Sequence, residues 1–199
     1  METGGQTKRE LRSQLKAQRA ALGNEERAAI DARIAEQVRS LPEWAEADIV
    51  CAYASFADEV DTWDLIESAW AAGKEVVLPR VVEGTRQMRW FTVNAREELE
   101  RSAWGIEEPA IDVAREVDVA ACSCERSAIA LVPALAFDAR GFRLGYGGGF
   151  YDCFLNEFGG TSIGLVRSAF FFEELSCLEP HDLAVDCVVS EHGIEFSRS

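Results

Sequence analysis

The spacing of apolar residues predicts three helices in the first third of the chain. Thr7 and Glu10 match a capping box, and three leucines follow at roughly helical intervals. A second helix is predicted from Asn24 to the Leu-Pro pair that ends it at 41–42, with isoleucine and valine on one face. A third is predicted over 62–72, where Gly73 stops it.

Short apolar runs between and after these helices predict strands. The runs are 49–54, 75–78 (ended by Pro79), 88–93, 128–132, 161–166, 185–189 and a tail strand at 193–196. Residues 94–124 are acidic and irregular, and give no clear pattern. Strands that alternate with helices predict an α/β sheet that is mostly parallel, with ligands outside the carboxyl ends of its strands. With no repeat and no linker, we expect a single domain over 1–199.

Net charge narrows the possible partners. The formal charge is −15, from 35 acidic and 20 basic residues, so we expect no nucleic-acid partner and no membrane partner. An anionic ligand must therefore be met by local cations and backbone dipoles. The chain contains no apolar run of about 18 residues and begins with polar residues, so neither a membrane span nor a secretory signal is predicted. Six scattered cysteines, with one close pair at Cys122 and Cys124, are typical of reduced thiols in the cytoplasm.

The segment Arg143–Asp152 carries the clearest chemical signal. Four of its residues are glycines, at 145, 147, 148 and 149. A glycine-rich turn before a helix lets backbone amides approach an anion, while Arg143 suits phosphate and Asp152 suits Mg²⁺. The loop has no lysine, so it is no P-loop, and Phe150 stands where a dinucleotide fingerprint needs glycine or alanine. A plain tight turn is the alternative to a nucleotide triphosphate site.

This segment resembles the 5-formyltetrahydrofolate cyclo-ligases, also called methenyltetrahydrofolate synthetases. The family run is roughly Val-Pro-Gly-x-Ala-Phe-Asp and then Gly-x-Arg-Leu-Gly-x-Gly-x-Gly-Tyr-Tyr-Asp, which 132–138 and 141–152 match. Further ordered matches lie at 8–12, 53–62, 78–80, 105–109, 163–165 and 181–182. The similarity covers nearly the whole chain.

The resemblance implies a Rossmann-like open sheet flanked by helices, and we expect the protein to be a monomer. Its reaction would be the ATP- and Mg²⁺-dependent cyclisation of 5-formyltetrahydrofolate to 5,10-methenyltetrahydrofolate, with release of ADP and phosphate. Two alternatives stay open. One is a noncatalytic folate- or nucleotide-binding protein, and the other is a sugar-phosphate enzyme on a similar sheet, which would need an acid/base pair that the sequence does not show.

The resemblance also implies sets of site residues. Catalysis is assigned to Lys8, Arg143 and Tyr151. ATP binding is assigned to Lys8, Arg9, Glu10, Leu11, Arg12, Arg143, Leu144, Gly145, Tyr146, Gly147, Gly148, Gly149, Phe150 and Tyr151. Substrate binding is assigned to Arg12, Ala54, Glu59, Trp104, Tyr146, Gly147, Gly148, Gly149 and Phe150. The Mg²⁺ ligands are Asp152 and Asp182, and Asp186 is the acid most easily confused with the second of them.

Several of these residues have plainer interpretations. Lys8 and Arg12 lie four apart on one predicted helix face, where a solvated basic surface is the alternative to an anion site. Trp104 suits stacking on a flat ring and equally suits anchoring an irregular segment. The chain also departs from its relatives. Phe150 replaces a common tyrosine, Gly148 replaces a lysine found in some members, and 167–170 lacks the usual tyrosine and glutamine.

Overall fold

A computed structural model describes residues 7–102, 105–121, 126–179 and 181–198. Its helices are α1 Lys8–Ala21, α2 Asn24–Arg39, α3 Pro42–Glu46, α4 Trp63–Ala71 and α5 Phe150–Glu157, with single 3₁₀ turns at Arg96–Glu98, Val113–Arg115 and Ser168–Phe170. Its strands are β1 Ile49–Cys51, β2 Glu75–Val81, β3 Met88–Thr92, β4 Leu99–Arg101, β5 Glu107–Pro109, β6 Glu116–Val117, β7 Ala128–Val132, β8 Ala136–Asp138, β9 Arg143–Leu144, β10 Thr161–Leu165, β11 Phe171–Phe172, β12 Cys187–Ser190 and β13 Gly193–Ser197.

A large central sheet organises the fold. In the described part of the chain it has eight strands in the order β13-β12-β10-β7-β1-β2-β3-β6. The run from β12 to β2 is parallel, whereas β13, β3 and β6 pair antiparallel at the two edges. The predicted open, mostly parallel sheet is therefore confirmed.

Helices cover both faces of this sheet, and the alternation of residues along β1 shows how. Val50 packs with Ile34 of α2 and Leu65 of α4 in one apolar cluster. Ile49, on the opposite face, packs in a second cluster with Phe154 of α5. Because β7 is covered on both faces, all five of its residues are buried, which explains its continuous apolar run.

A smaller sheet contains the hairpin that connects β7 to the glycine-rich loop. Its order is β11-β8-β9, and it packs with α1 around Leu11 and Leu15. The glycine-rich loop does not follow β7 directly, because the β8–β9 hairpin intervenes and brings Arg143 to the start of the loop. This hairpin and the short helix α3 were not predicted from the sequence.

The predicted end of the second strand is wrong. The strand was expected to end before Pro79, yet β2 continues to Val81. Val76 accepts a hydrogen bond from Val93 and Val82 donates one to Gln87, so the alternate residues between them bond with β3. The Pro79 nitrogen therefore faces the side of β1, which has already ended at Cys51, and its missing N–H costs no ladder bond.

The other predicted elements occur with small shifts of their ends. The capping box of α1 is confirmed, because the Thr7 hydroxyl accepts from the Glu10 amide and the Thr7 amide donates to the Glu10 carboxylate at 3.0 Å. The strand expected over 49–54 ends at Cys51. Across the described part of the chain, none of the helices combines the length and apolar composition that a membrane span requires.

Candidate active site

A cavity of about 1400 Å³ opens at the carboxyl ends of three parallel strands. Ala54 lines it just after β1, Val81 at the end of β2, and Pro133 just after β7. Helix α1, the glycine-rich loop and the segment 179–182 complete the wall. The position agrees with the general rule for ligand sites in open α/β sheets.

The glycine-rich loop needs glycine at particular positions. Gly147 and Gly149 have φ angles of 110° and 74°, in the left-handed region that side chains disfavour. Gly149 is the residue before α5, whose first turn receives no side-chain cap. The backbone amides at this helix start are therefore available to an anion. The Phe150 ring covers Gly148, since a Cβ there would lie 2.6 Å from it, so the two departures from the family pattern contact each other.

The three cations predicted to bind phosphate line the cavity beside this loop. The Arg12 Nε donates to the carbonyl oxygen of Gly145 at 2.9 Å. The buried Arg143 donates to the Leu183 carbonyl at 2.8 Å and to Asp152 at 2.6 Å. The Lys8 ammonium contacts both oxygens of Asp182, at 2.9 and 2.8 Å.

Lys8 and Asp182 stabilise each other's charge. Burial alone would lower the pKa of Lys8, but hydrogen bonds to Asp182 and Glu179 outweigh it and raise the pKa. Burial likewise would raise the pKa of Asp182, and the bond from Lys8 reverses this and lowers it. Both groups are therefore charged at neutral pH, so phosphate or metal must compete with an ion pair.

The two predicted metal ligands line the same cavity. Each carboxylate is paired with a cation, Asp152 with Arg143 and Asp182 with Lys8. Ligand atoms of Asp182, Glu179 and His181 lie within 4.8 Å of one another, a group that does not include Asp152. The carboxylate oxygens of Asp152 and Asp182 fit Mg²⁺, which prefers hard oxygen ligands.

Asp186 lies elsewhere and has a structural role. Its carboxylate accepts hydrogen bonds from the Ser162 amide at 2.9 Å and the Ser162 hydroxyl at 2.6 Å. Arg198 approaches its other oxygen at 3.3 Å. These contacts join β10 to the start of β12, away from the residues that line the large cavity.

Glu59 enters the cavity from a tightly held loop after β1. Its carboxylate accepts from the Phe56 amide at 2.9 Å. Within the described residues, Ala57 is the one non-glycine residue with a positive φ, 56°, so the loop is bent at that point. Burial raises the pKa of Glu59 to about 7.

Two buried arginines fix this loop through its backbone. The Asp58 carbonyl accepts from Arg19 at 2.7 Å and from Arg167 at 3.0 Å, and the Glu59 carbonyl accepts from Arg167 at 2.9 Å. Arg167 is held in turn by two 2.8 Å bonds to Asp31. Neither arginine was predicted from the sequence, although Arg19 continues the leucine spacing of α1 and so marks its buried face.

Two tyrosines line the cavity with their hydroxyl groups buried. The hydroxyl groups of Tyr146 and Tyr151 are buried and have no hydrogen-bond partner among the described residues. Burial first, and then the nearby Glu59, raises the pKa of both above the usual range for tyrosine. Buried hydroxyls normally find a partner, so a bound ligand is a suitable one.

The structure brings most of the predicted site residues together. Those that line the cavity are Lys8, Arg9, Arg12, Ala54, Glu59, Arg143, Leu144, Gly145, Tyr146, Gly147, Gly148, Gly149, Phe150, Tyr151, Asp152 and Asp182. Glu10 instead caps α1, and Leu11 is buried in the core. Trp104, Cys122 and Cys124 lie outside the described residues. Lining residues that the sequence did not single out include Lys16, Phe56 and Arg86.

Comparisons with known proteins agree with this geometry. Residues 4–191 match the model of the 5-formyltetrahydrofolate cyclo-ligase family. The chain is 33% identical to a probable 5-formyltetrahydrofolate cyclo-ligase of Schizosaccharomyces pombe, over 73% of this chain and 70% of the relative. It is 34% identical to the 5-formyltetrahydrofolate cyclo-ligase of Escherichia coli, over 69% of this chain and 74% of the relative.

A solved structure gives the same result for the fold. The NMR structure of Aquifex aeolicus 5,10-methenyltetrahydrofolate synthetase superposes with a TM-score of 0.80 at 30% identity, covering 94% of this chain and 91% of that one. By sequence and by fold, this chain belongs to the 5-formyltetrahydrofolate cyclo-ligase family.

Proposed function

We propose that this protein cyclises 5-formyltetrahydrofolate to 5,10-methenyltetrahydrofolate, consuming ATP and releasing ADP and phosphate. The main observation behind the proposal is that a single cavity contains both an anion-binding site and an acidic side chain. The glycine-rich loop with Lys8, Arg12 and Arg143 forms the anion site, and Glu59 supplies the acid. Membership of the family supports the same reaction.

The loop and its cations bind the nucleotide phosphates. Backbone amides at the start of α5 and the guanidinium groups of Arg12 and Arg143 provide donors with fixed positions, which favours alignment and charge neutralisation in phosphoryl transfer. Lys8 and Arg143 exchange their carboxylate partners for phosphate oxygens when ATP binds. We assign Tyr151 a catalytic role in the same part of the cavity. Its buried hydroxyl has no hydrogen-bond partner among the described residues and could donate to a reacting oxygen of the substrate.

Asp152 and Asp182 would hold Mg²⁺, which when bound neutralises charge on the phosphate oxygens. Their present partners, Arg143 and Lys8, are the cations that the phosphates attract. Binding of ATP would therefore release both carboxylates from their ion pairs and leave them available to hold Mg²⁺. Both ligand assignments follow from the family resemblance and are supported by the shared cavity.

Glu59 orients the folate. A carboxylate accepts hydrogen bonds from the N–H and amino donors of a pterin, and Ala54 and the Phe150 ring provide apolar surface beside it. In the proposed reaction the formyl oxygen attacks the γ-phosphate and ADP leaves. The N10 nitrogen then attacks the activated formyl carbon and releases its proton to solvent, closing the ring, and phosphate leaves with the former formyl oxygen.

We also propose that the enzyme acts as a single domain and a monomer, without nucleic-acid or membrane partners, in the cytoplasm. Cys153, Cys177 and Cys187 are free thiols, which suits a reducing compartment.

An absorbance assay for methenyltetrahydrofolate tests the proposed function directly. Purified protein is given 5-formyltetrahydrofolate with ATP and Mg²⁺, and in parallel with either one omitted. We expect product only when both are present, with one phosphate released per product. Product without ATP would contradict the mechanism, and ATP binding without product would identify a noncatalytic binding protein.

A further inference from the structure

The turn between β2 and β3 reaches the glycine-rich loop and places Arg86 against it. A Cβ built on Gly149 would lie 3.4 Å from the Arg86 Cδ and 3.7 Å from its Nε and Nη1 atoms. Arg86 also lines the large cavity. A segment about 60 residues away in sequence thus brings a guanidinium to the start of α5.

Arg86 differs from the other arginines of its hairpin in having no described acidic partner. Arg80 pairs with Glu100 at 3.2 Å, and Arg89 pairs with Glu116. In the part of the chain that the structure describes, no hydrogen bond or ion pair engages the Arg86 guanidinium. In a chain of net charge −15, an arginine left without an acid beside an anion-binding loop is notable.

Any cation that helps the glycine-rich loop to bind an anion must come from another segment of the chain. Between Gly145 and Tyr151 it contains no lysine or arginine. Arg12 covers one end of the loop, where a Cβ on Gly147 would lie 3.5 Å from its Cζ, and Arg86 covers the other end at Gly149. Arg12 uses one N–H group to donate a hydrogen bond to the Gly145 carbonyl, whereas every N–H group of the Arg86 guanidinium is available to a ligand.

We propose that Arg86, in the β2–β3 turn, is a phosphate-binding residue of the nucleotide site and contacts the phosphates beside Gly149. The inference rests on the proposed function, because it names a further ligand of the same nucleotide. A guanidinium suits this role because its planar fork donates to two phosphate oxygens at once. The plainer alternative is an exposed arginine whose charge stays in water.

Thermal shift and kinetics on variants of the full chain separate these interpretations. Arg86→Ala and Arg86→Lys are compared with wild type, and Arg89→Ala is the matched control, because it removes the same charge from the same hairpin. Tm is measured without ligand and against Mg-ATP concentration, and KM is measured for ATP and for 5-formyltetrahydrofolate.

We expect Arg86→Ala to weaken ATP binding by roughly tenfold or more, the lower range for hydrogen bonds to charged groups. Its unliganded Tm and its KM for the folate should match wild type, Arg86→Lys should recover only part of the loss, and Arg89→Ala should bind ATP normally. If Arg86→Ala and Arg89→Ala respond to ATP alike, Arg86 is not a phosphate ligand. If wild type itself gains no Tm from Mg-ATP, the nucleotide site and the proposed function fail together.

Discussion

Replacing Glu59 by glutamine should stabilise the unliganded protein at neutral and higher pH. Burial raises the pKa of this carboxyl from 4.5 to about 7, so the folded state holds a proton that the unfolded state releases more easily. The difference between these pKa values corresponds to roughly 3 kcal/mol of lost stability once the carboxyl is ionised in both states, at 1.36 kcal/mol for each pKa unit. Glutamine keeps the shape and can still accept from the Phe56 amide, but it never ionises.

The direction of the effect with pH follows from the raised pKa. Below about pH 4.5 the carboxyl is protonated in both states and costs nothing, so the two proteins should unfold with similar free energies. Between about 4.5 and 7 the unfolded state ionises first, and the advantage of glutamine grows to its full size above 7. Urea unfolding of both proteins at pH 4.5, 6 and 8 measures this difference.

A control and a ligand measurement make the test specific. Glu67 lies exposed on α4, and Glu67→Gln should change the free energy of unfolding by less than about 0.5 kcal/mol at every pH. For catalysis the expectation reverses, since Glu59→Gln loses the ionised acceptor and should raise KM for 5-formyltetrahydrofolate. Wild-type affinity for this folate should rise as pH increases through about 7. A stability difference that is equal at pH 4.5 and 8, or that favours wild type at pH 8, would refute burial as the cause.

Five further substitutions test the remaining parts of the site. Arg12→Ala should lower the unliganded Tm only modestly, through loss of its bond to the Gly145 carbonyl, but weaken ATP binding by roughly 1.5–3 kcal/mol, seen as a smaller Tm gain against ATP concentration; an equal gain in both proteins would show that Arg12 is no phosphate ligand. Asp152→Asn and Asp182→Asn should shift the Mg²⁺ dependence of activity to higher concentration, whereas Asp186→Asn should mainly lower stability in urea; the opposite ranking would reassign the metal ligand. Arg167→Lys should cost about 3 kcal/mol in urea unfolding and raise KM for the folate more than for ATP, because lysine cannot serve Asp31 and the loop carbonyls together.

The sequence predicted those helices and strands that are determined by residues close together in the chain. The capping box and leucine spacing of α1, and the five apolar residues of β7, carry their own signals. The path of β2 through Pro79 does not, because it depends on where the neighbouring strand ends. The β8–β9 hairpin has too few residues for a readable alternation and is held by pairing with β11, which comes about 30 residues later.

The same distinction between local and long-range interactions applies to the residues of the site. The glycine-rich loop is readable from composition, whereas Glu59 is one loop acid among many until the fold buries it. Arg19 and Arg167 find their loop partners across 39 and 109 residues of sequence, and such pairings leave no periodic signal. The family resemblance suggested roles for individual residues, and only the fold placed Arg86 beside the glycine-rich loop.

The pairing of Lys8 with Asp182 spans 174 residues, nearly the whole chain. A ribosome that has made α1 must therefore add most of the remaining protein before this helix meets its partners. The same delay applies to the apolar face of α1, since Leu11 and Leu15 pack against Val132, Leu144 and Val188. Contacts of such long range slow folding and leave apolar surface uncovered in the meantime. Helix α1, which carries Lys8 and Arg12, is thus made early but completes its contacts late, and its apolar face stays uncovered in between.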